Sequence, residues 1–111
     1  MDQNINSSEI LVDNPLRLDG HVLLSGTLTC ATQAELDRVI TGVDQHIALT
    51  RAEPGCLSFE VTQTADPMVW SVVERFTDAE AFGAHQTRAG ASAWAELTKG
   101  IARDYKISGL A

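Results

Sequence analysis

The sequence predicts an α+β domain of the ferredoxin-like kind, β-α-β-β-α-β, with both helices on one face of a four-stranded antiparallel sheet. Three observations carry this. Apolar residues alternate over 21–30 and 57–64. A capped segment over 32–50 repeats its apolar residues at helical spacing. The segment 68–76 is apolar on both faces, as a central strand would be.

In chain order, residues 1–19 are polar with isolated apolar positions and read as an N-terminal arm; Pro15 bends it, and Asp19–Gly20 is a turn signal. The domain is expected over 20–111. In the first strand Val22, Leu24, Leu28 and Cys30 share one parity, while His21, Ser25, Thr27 and Thr29 share the other. Gly26 sits on the apolar face and leaves room for something close to the backbone. Thr32 and Glu35 form a capping box, after which Leu36, Val39, Ile40, Val43 and Ile47 follow a 3.6-residue period. Pro54–Gly55 turns the chain.

The second strand puts Leu57, Phe59 and Val61 on one face, and Asp66–Pro67 marks the next turn. In the third, Met68, Trp70, Val72, Glu74 and Phe76 oppose Val69, Ser71, Val73 and Arg75. Thr77 and Glu80 make a second capping box, opening a helix whose inner stripe includes Ala81, Phe82 and His85. Gly90 breaks it, and Ser92 restarts a turn carrying Trp94 and Leu97. Residues 101–109 are the last strand, with Tyr105 and Ile107 on a common face. Helices cover one side of such a sheet; a second copy of the chain, with C2 symmetry, is the expected cover for the other, which makes a homodimer.

A chain of 111 residues is one domain's worth, and its net charge of −7 argues against a polyanion partner. Its basic residues are scattered, so nucleic-acid binding is not expected. No apolar stretch approaches the roughly 20 residues of a membrane span, and the first residues lack the pattern of a signal peptide, so no membrane association and a cytoplasmic location are expected. Cys30 and Cys56 read as two buried thiols in a reducing compartment. His21, His46 and His85 lie far apart on different elements with no ligand spacing around them, so no metal site is expected.

The constellation with chemical content is Trp70, Glu74 and Phe76 on one strand face, facing Phe82, His85 and Trp94 on the helical cover. An imidazole beside a carboxylate can act as a general base or hold a phenol. The aromatic residues would wall a site for a small aromatic molecule. Each residue has a structural alternative. His85 can be a satisfied core histidine, Glu74 can pair with an arginine, and the aromatics can be core or dimer contacts. Arg88 can bind an anionic substituent or form a surface ion pair. Arg51–Glu53 reads as a stretch that shapes the loop before the second strand.

Glu53-Pro54-Gly55-Cys56-Leu57-Ser58-Phe59 resembles one signature of the antibiotic biosynthesis monooxygenase-like family of small quinol-monooxygenase-like proteins. Glu74-Arg75-Phe76, followed by Ala81-Phe82-Gly83-Ala84-His85, resembles a second. The resemblance implies a dimeric α/β barrel with a cavity between sheet and helices in each subunit. It also implies a cofactor-independent monooxygenase that oxidises phenolic or quinol-like substrates with dioxygen, using no metal or flavin. By similarity Glu74, Phe76 and His85 would line the cavity, with His85 and Glu74 catalytic and Trp70, Phe76, Phe82, Trp94 and Arg88 binding substrate. A strand Trp of the family is Phe76 here. Haem-degrading relatives carry an iron-ligating His near the position of Trp94–Ala95; this chain has none there. A dimeric binding or isomerase-like module without redox chemistry is the other reading of the same fold.

Overall fold

Residues 20–109 are described by the computed structural model. Their elements run β1 (Val22–Thr29), α1 (Gln33–Arg51), β2 (Cys56–Gln63), β3 (Val69–Phe76), α2 (Ala79–Gly90), α3 (Ala93–Leu97) and β4 (Ala102–Ser108). The strands form one antiparallel sheet in the order β2-β3-β1-β4, which is the ferredoxin-like topology the pattern predicts. The N-terminal arm expected over 1–19 lies outside the described residues.

The strand alternation becomes the core. Val22, Leu24 and Leu28 of β1, Phe59 and Val61 of β2, and Trp70, Val72 and Phe76 of β3 are all buried on the helix-facing side. Leu36, Val39 and Val43 of α1 and Phe82 of α2 close over them. In α1 the buried stripe is Leu36, Val39, Val43, His46 and Thr50, joined by Gly42. Ile40, expected on that stripe, is 53% exposed, because steps of three and four from Val39 lead to Val43 and leave Ile40 on the flank.

Both caps depart slightly from expectation. The Thr32 hydroxyl accepts from the Glu35 amide, but the Glu35 carboxylate accepts from the Ala31 amide, one residue before the cap. For α2 the capping residue is Asp78, whose carboxylate accepts from the Ala81 amide, and not Thr77. Either residue type can cap, and here the carboxylate one step later does so.

In β2 a bulge follows Cys56: Cys56 opposes Phe76, yet Ser58 opposes Arg75, which leaves Leu57 extra. Leu57 therefore faces solvent, although its parity with Phe59 predicted the core. Cys56 is only half-buried, unlike Cys30. The neighbour that comes close at Gly26 is β4: a Cβ there would meet the Asp104 carbonyl oxygen at 2.0 Å.

The outer face of the sheet is mixed. Leu23 and Val69 are half-buried there and Val73 is exposed, among Ser25, Thr27, Ser71 and Arg75. Apolar character on both sides of β3 is thus confined, on the outer side, to Val69 and Val73. No helix of the described residues is long and apolar enough to cross a membrane.

Candidate functional site

Between the inner sheet face and the helices lies a cavity of about 310 Å³. Leu24, Val61 and Val72 form its floor, and Phe59, His46 and Trp94 form an aromatic wall. Glu74, His85, Arg103 and Tyr105 bring the polar groups. The wall is ordered by ring contacts. His46 lies flat on Trp94, with centroids 4.6 Å apart and planes 4° from parallel, and meets the edge of Phe59 at 5.2 Å.

Helical geometry puts His46 here. It sits three residues after Val43 on the buried stripe of α1, so it points at the sheet as Val39 and Val43 do. His85 reaches the same place from α2, and the two imidazoles lie 6.1 Å apart. The sequence separates these histidines; the fold brings them together.

Burial governs the electrostatics. Glu74 is buried, and desolvation, reinforced by the nearby Glu53 charge, raises its pKa from 4.5 to about 7. Its Oε1 is 3.8 Å from His85 Nε2, beyond hydrogen-bonding distance, and has no partner. His46 falls from 6.5 to about 3, first through burial and then through its electrostatic interactions with His85, Arg88 and Arg103. Its Nδ1 is also buried without a partner. Burial likewise lowers His85, against the opposing pull of Glu53. Burial raises the Tyr105 phenol.

Behind His85 runs a second polar set. Its Nδ1 lies 3.0 Å from Glu53 Oε1, and Arg88 Nε donates to Glu53 Oε2 at 2.5 Å. Arg88 Nη2 also donates to the buried Thr50 hydroxyl at 3.0 Å. This set borders an open groove of about 560 Å³ between the Glu53–Gly55 loop and the start of α2. His85 lines both the groove and the cavity.

The seven residues singled out from sequence therefore divide. Glu74, His85 and Trp94 line the cavity, while Trp70, Phe76 and Phe82 are not among its lining residues. Phe76 packs on His85 at 4.9 Å and on Phe82 at 5.7 Å, so these two rings support His85 from the core. Trp70 is buried further along β3, opposite Leu28 and Gln63, with its indole N–H unpartnered. Arg88 lines the groove and holds Glu53.

Sequence reasoning gave no site role to His46, Phe59 and Arg103, and ranked Glu53 and Tyr105 below the other candidates. For His46 a signal existed, its spacing from Val39 and Val43. For Glu53 the signal was its place at the head of the first family signature, but its partners, 32 and 35 residues downstream, were not readable. Arg51 does shape the loop as expected: its guanidinium donates twice to the Phe59 carbonyl, tying the end of α1 to β2. Among the described residues no three His, Cys, Asp or Glu side chains converge as a metal site requires.

The loop holding Glu53 is seated by contact. A Cβ on Gly55 would stand 2.2 Å from the Ala81 Cβ, while the Gly55 carbonyl accepts from the Thr77 amide at 2.9 Å. Gly55→Ala is therefore expected to lower stability by about 1–3 kcal/mol through overpacking, read as a lower urea midpoint. An unchanged midpoint would mean that α2 does not sit against this loop.

The sequence model of the family described as antibiotic biosynthesis monooxygenase matches residues 26–97. No curated protein matches the chain. Among solved structures it is similar to a protein of Nitrosomonas europaea provisionally described as an antibiotic biosynthesis monooxygenase, with TM-score 0.72, 20% identity, and 85% of this chain and 94% of that one covered. It is also similar to a Bacteroides thetaiotaomicron protein of unknown function described as a possible oxidoreductase, with TM-score 0.66, 15% identity, and 82% and 96% covered. A third similar structure is MupZ of Pseudomonas fluorescens, with TM-score 0.68, 16% identity, and 82% and 69% covered. At these identities the structures speak to fold.

Proposed function

The chain belongs to the antibiotic biosynthesis monooxygenase family, and from that premise we propose that it oxidises a phenolic or quinol-like aromatic substrate with dioxygen, without metal or flavin, in the cavity between sheet and helices. One observation carries this reading. Two buried polar atoms, Glu74 Oε1 and His46 Nδ1, are unpartnered, and both residues face an aromatic-walled cavity. A buried polar group without a partner costs about 1–3 kcal/mol, and a ligand with oxygen substituents on a ring would satisfy both.

The roles follow from position. His85, kept neutral by burial, takes the phenolic proton. The phenolate gives one electron to dioxygen, and the resulting radicals join at a ring carbon. The peroxide so formed recovers a proton; loss of water then leaves a carbonyl on the ring, with one oxygen atom in the product and one in water. Glu74, its pKa raised to about 7, is partly protonated at neutral pH and in that form donates to a ring oxygen or to the peroxide. Phe59 and Trp94 hold the ring and exclude water.

The test uses a panel of hydroquinones and polycyclic phenols, read with an oxygen electrode and by thermal shift on chelator-treated protein. Oxygen uptake matched to substrate consumed supports the reading. Thermal stabilisation without oxygen uptake would assign the cavity to binding or isomerisation instead.

We also propose a homodimer formed through the outer sheet face, where Leu23, Val69 and Val73 lie. Sedimentation at micromolar concentration is expected to give twice the 12.0 kDa chain mass. A monomer would overturn it.

A further inference from the structure

We propose that Glu53, held by Arg88, is a positioning residue that keeps the hydrogen of His85 on Nδ1, so that the bare Nε2 faces Glu74 and the cavity. The inference deepens the oxygenase reading, and rests on it for its catalytic meaning only.

The geometry leaves little choice of proton position. Glu53 Oε2 accepts Arg88 Nε–H in a charge-assisted pair, and the Arg88 fork is itself fixed by the Thr50 hydroxyl. Glu53 Oε1 is then an acceptor only, 3.0 Å from His85 Nδ1. A neutral imidazole meeting that oxygen must present N–H there, and its other nitrogen must be bare. Nε2 is the nitrogen nearer Glu74, 3.8 Å from Oε1. The charged and titratable groups around the ring are Glu53 and Arg88 behind it, Glu74 before it from β3, and His46 across from it on α1.

An imidazole with hydrogen on Nδ1 can accept a proton from a ligand in the cavity. With hydrogen on Nε2 it could only donate there. When Nε2 takes a proton, the imidazolium gains the Glu53 carboxylate as its counter-ion, already in hydrogen-bond contact. Phe76, 4.9 Å from the ring, limits rotation that would exchange the two nitrogens.

The test is Glu53→Gln. Arg88 Nε–H will claim the amide oxygen, which turns the amide NH₂ toward His85 Nδ1. The His85 hydrogen is then expected to move to Nε2. Nitrogen-15 NMR of the imidazole in the ligand-free protein reads this directly, at a pH where the ring is neutral. The wild type should show a protonated Nδ1 and a bare Nε2, and E53Q the reverse. With an oxidisable quinol, kcat should fall at least about tenfold in E53Q with KM changed less than twofold.

A wild-type ring carrying its hydrogen on Nε2 would overturn the proposal whether or not the variant folds. So would an E53Q protein that keeps the wild-type tautomer. If the tautomer inverts but no quinol is oxidised even by the wild type, the oxygenase reading falls and the positioning role stands.

Discussion

Replacing His85 with alanine is expected to lower oxygen uptake at neutral pH by about 100-fold or more, within the range that a positioned general base contributes. No other described group is placed to substitute for it. Glu74, pushed up to about 7, is only partly ionised at neutral pH, while His46 is stacked on Trp94 with its pKa lowered to about 3. The variant should still fold. Glu53 keeps its ion pair with Arg88 when the imidazole is removed, and Glu74 Oε1 already lacks a partner. Removal also opens the partition between cavity and groove, so millimolar imidazole in the buffer should restore part of the rate. Turnover within a few-fold of the wild type would remove His85 from the mechanism.

The second large effect concerns stability and has the opposite sign. Glu74→Gln should stabilise the protein above neutral pH by up to about 3 kcal/mol. A carboxyl whose pKa rises from 4.5 in the unfolded chain to about 7 when folded binds more protons in the folded state between those values. Wild-type stability therefore falls as pH rises through that window, by about 1.4 kcal/mol for each unit, and the loss is complete above pH 7. Glutamine has no proton to lose, so the advantage of the variant should grow from pH 4.5 to 7 and then level off. Urea midpoints at pH 5 and pH 8 measure it. A difference that does not change with pH would mean that Glu74 ionises without penalty. Coupled to lower turnover, the expected gain marks Glu74 as a residue kept for chemistry at the expense of the fold.

Local patterns made the fold legible, and long-range ones hid part of the site. The parity of Val22, Leu24 and Leu28 placed β1, and the apolar rhythm after Thr32 placed α1. Parity failed at Leu57 because one extra residue in β2 reverses which side faces inward, and no residue type in that stretch announces a bulge. The strand-and-helix pair Glu74 and His85 could be named because each sits on an element with a readable inner face. Trp70 and Phe76 share that face too, but direction alone does not say how far along a strand a cavity extends; it spans the stretch from Val72 to Glu74. Glu53 could not be found in this way. Loop residues have no periodicity, and the hydrogen bond to His85 exists only once α2 has packed across Gly55.

The roof of the cavity is slight. Trp94 belongs to α3, five residues with none fully buried, which is fastened by Arg38 to the Leu97 carbonyl and by Arg103 to Thr98. The sheet, α1 and α2 supply the rest of the enclosure without it. Lengthening or trimming this one short turn would therefore reshape the space offered to a ligand while leaving the founding architecture untouched, so that a change of diet in a descendant protein needs no new scaffold.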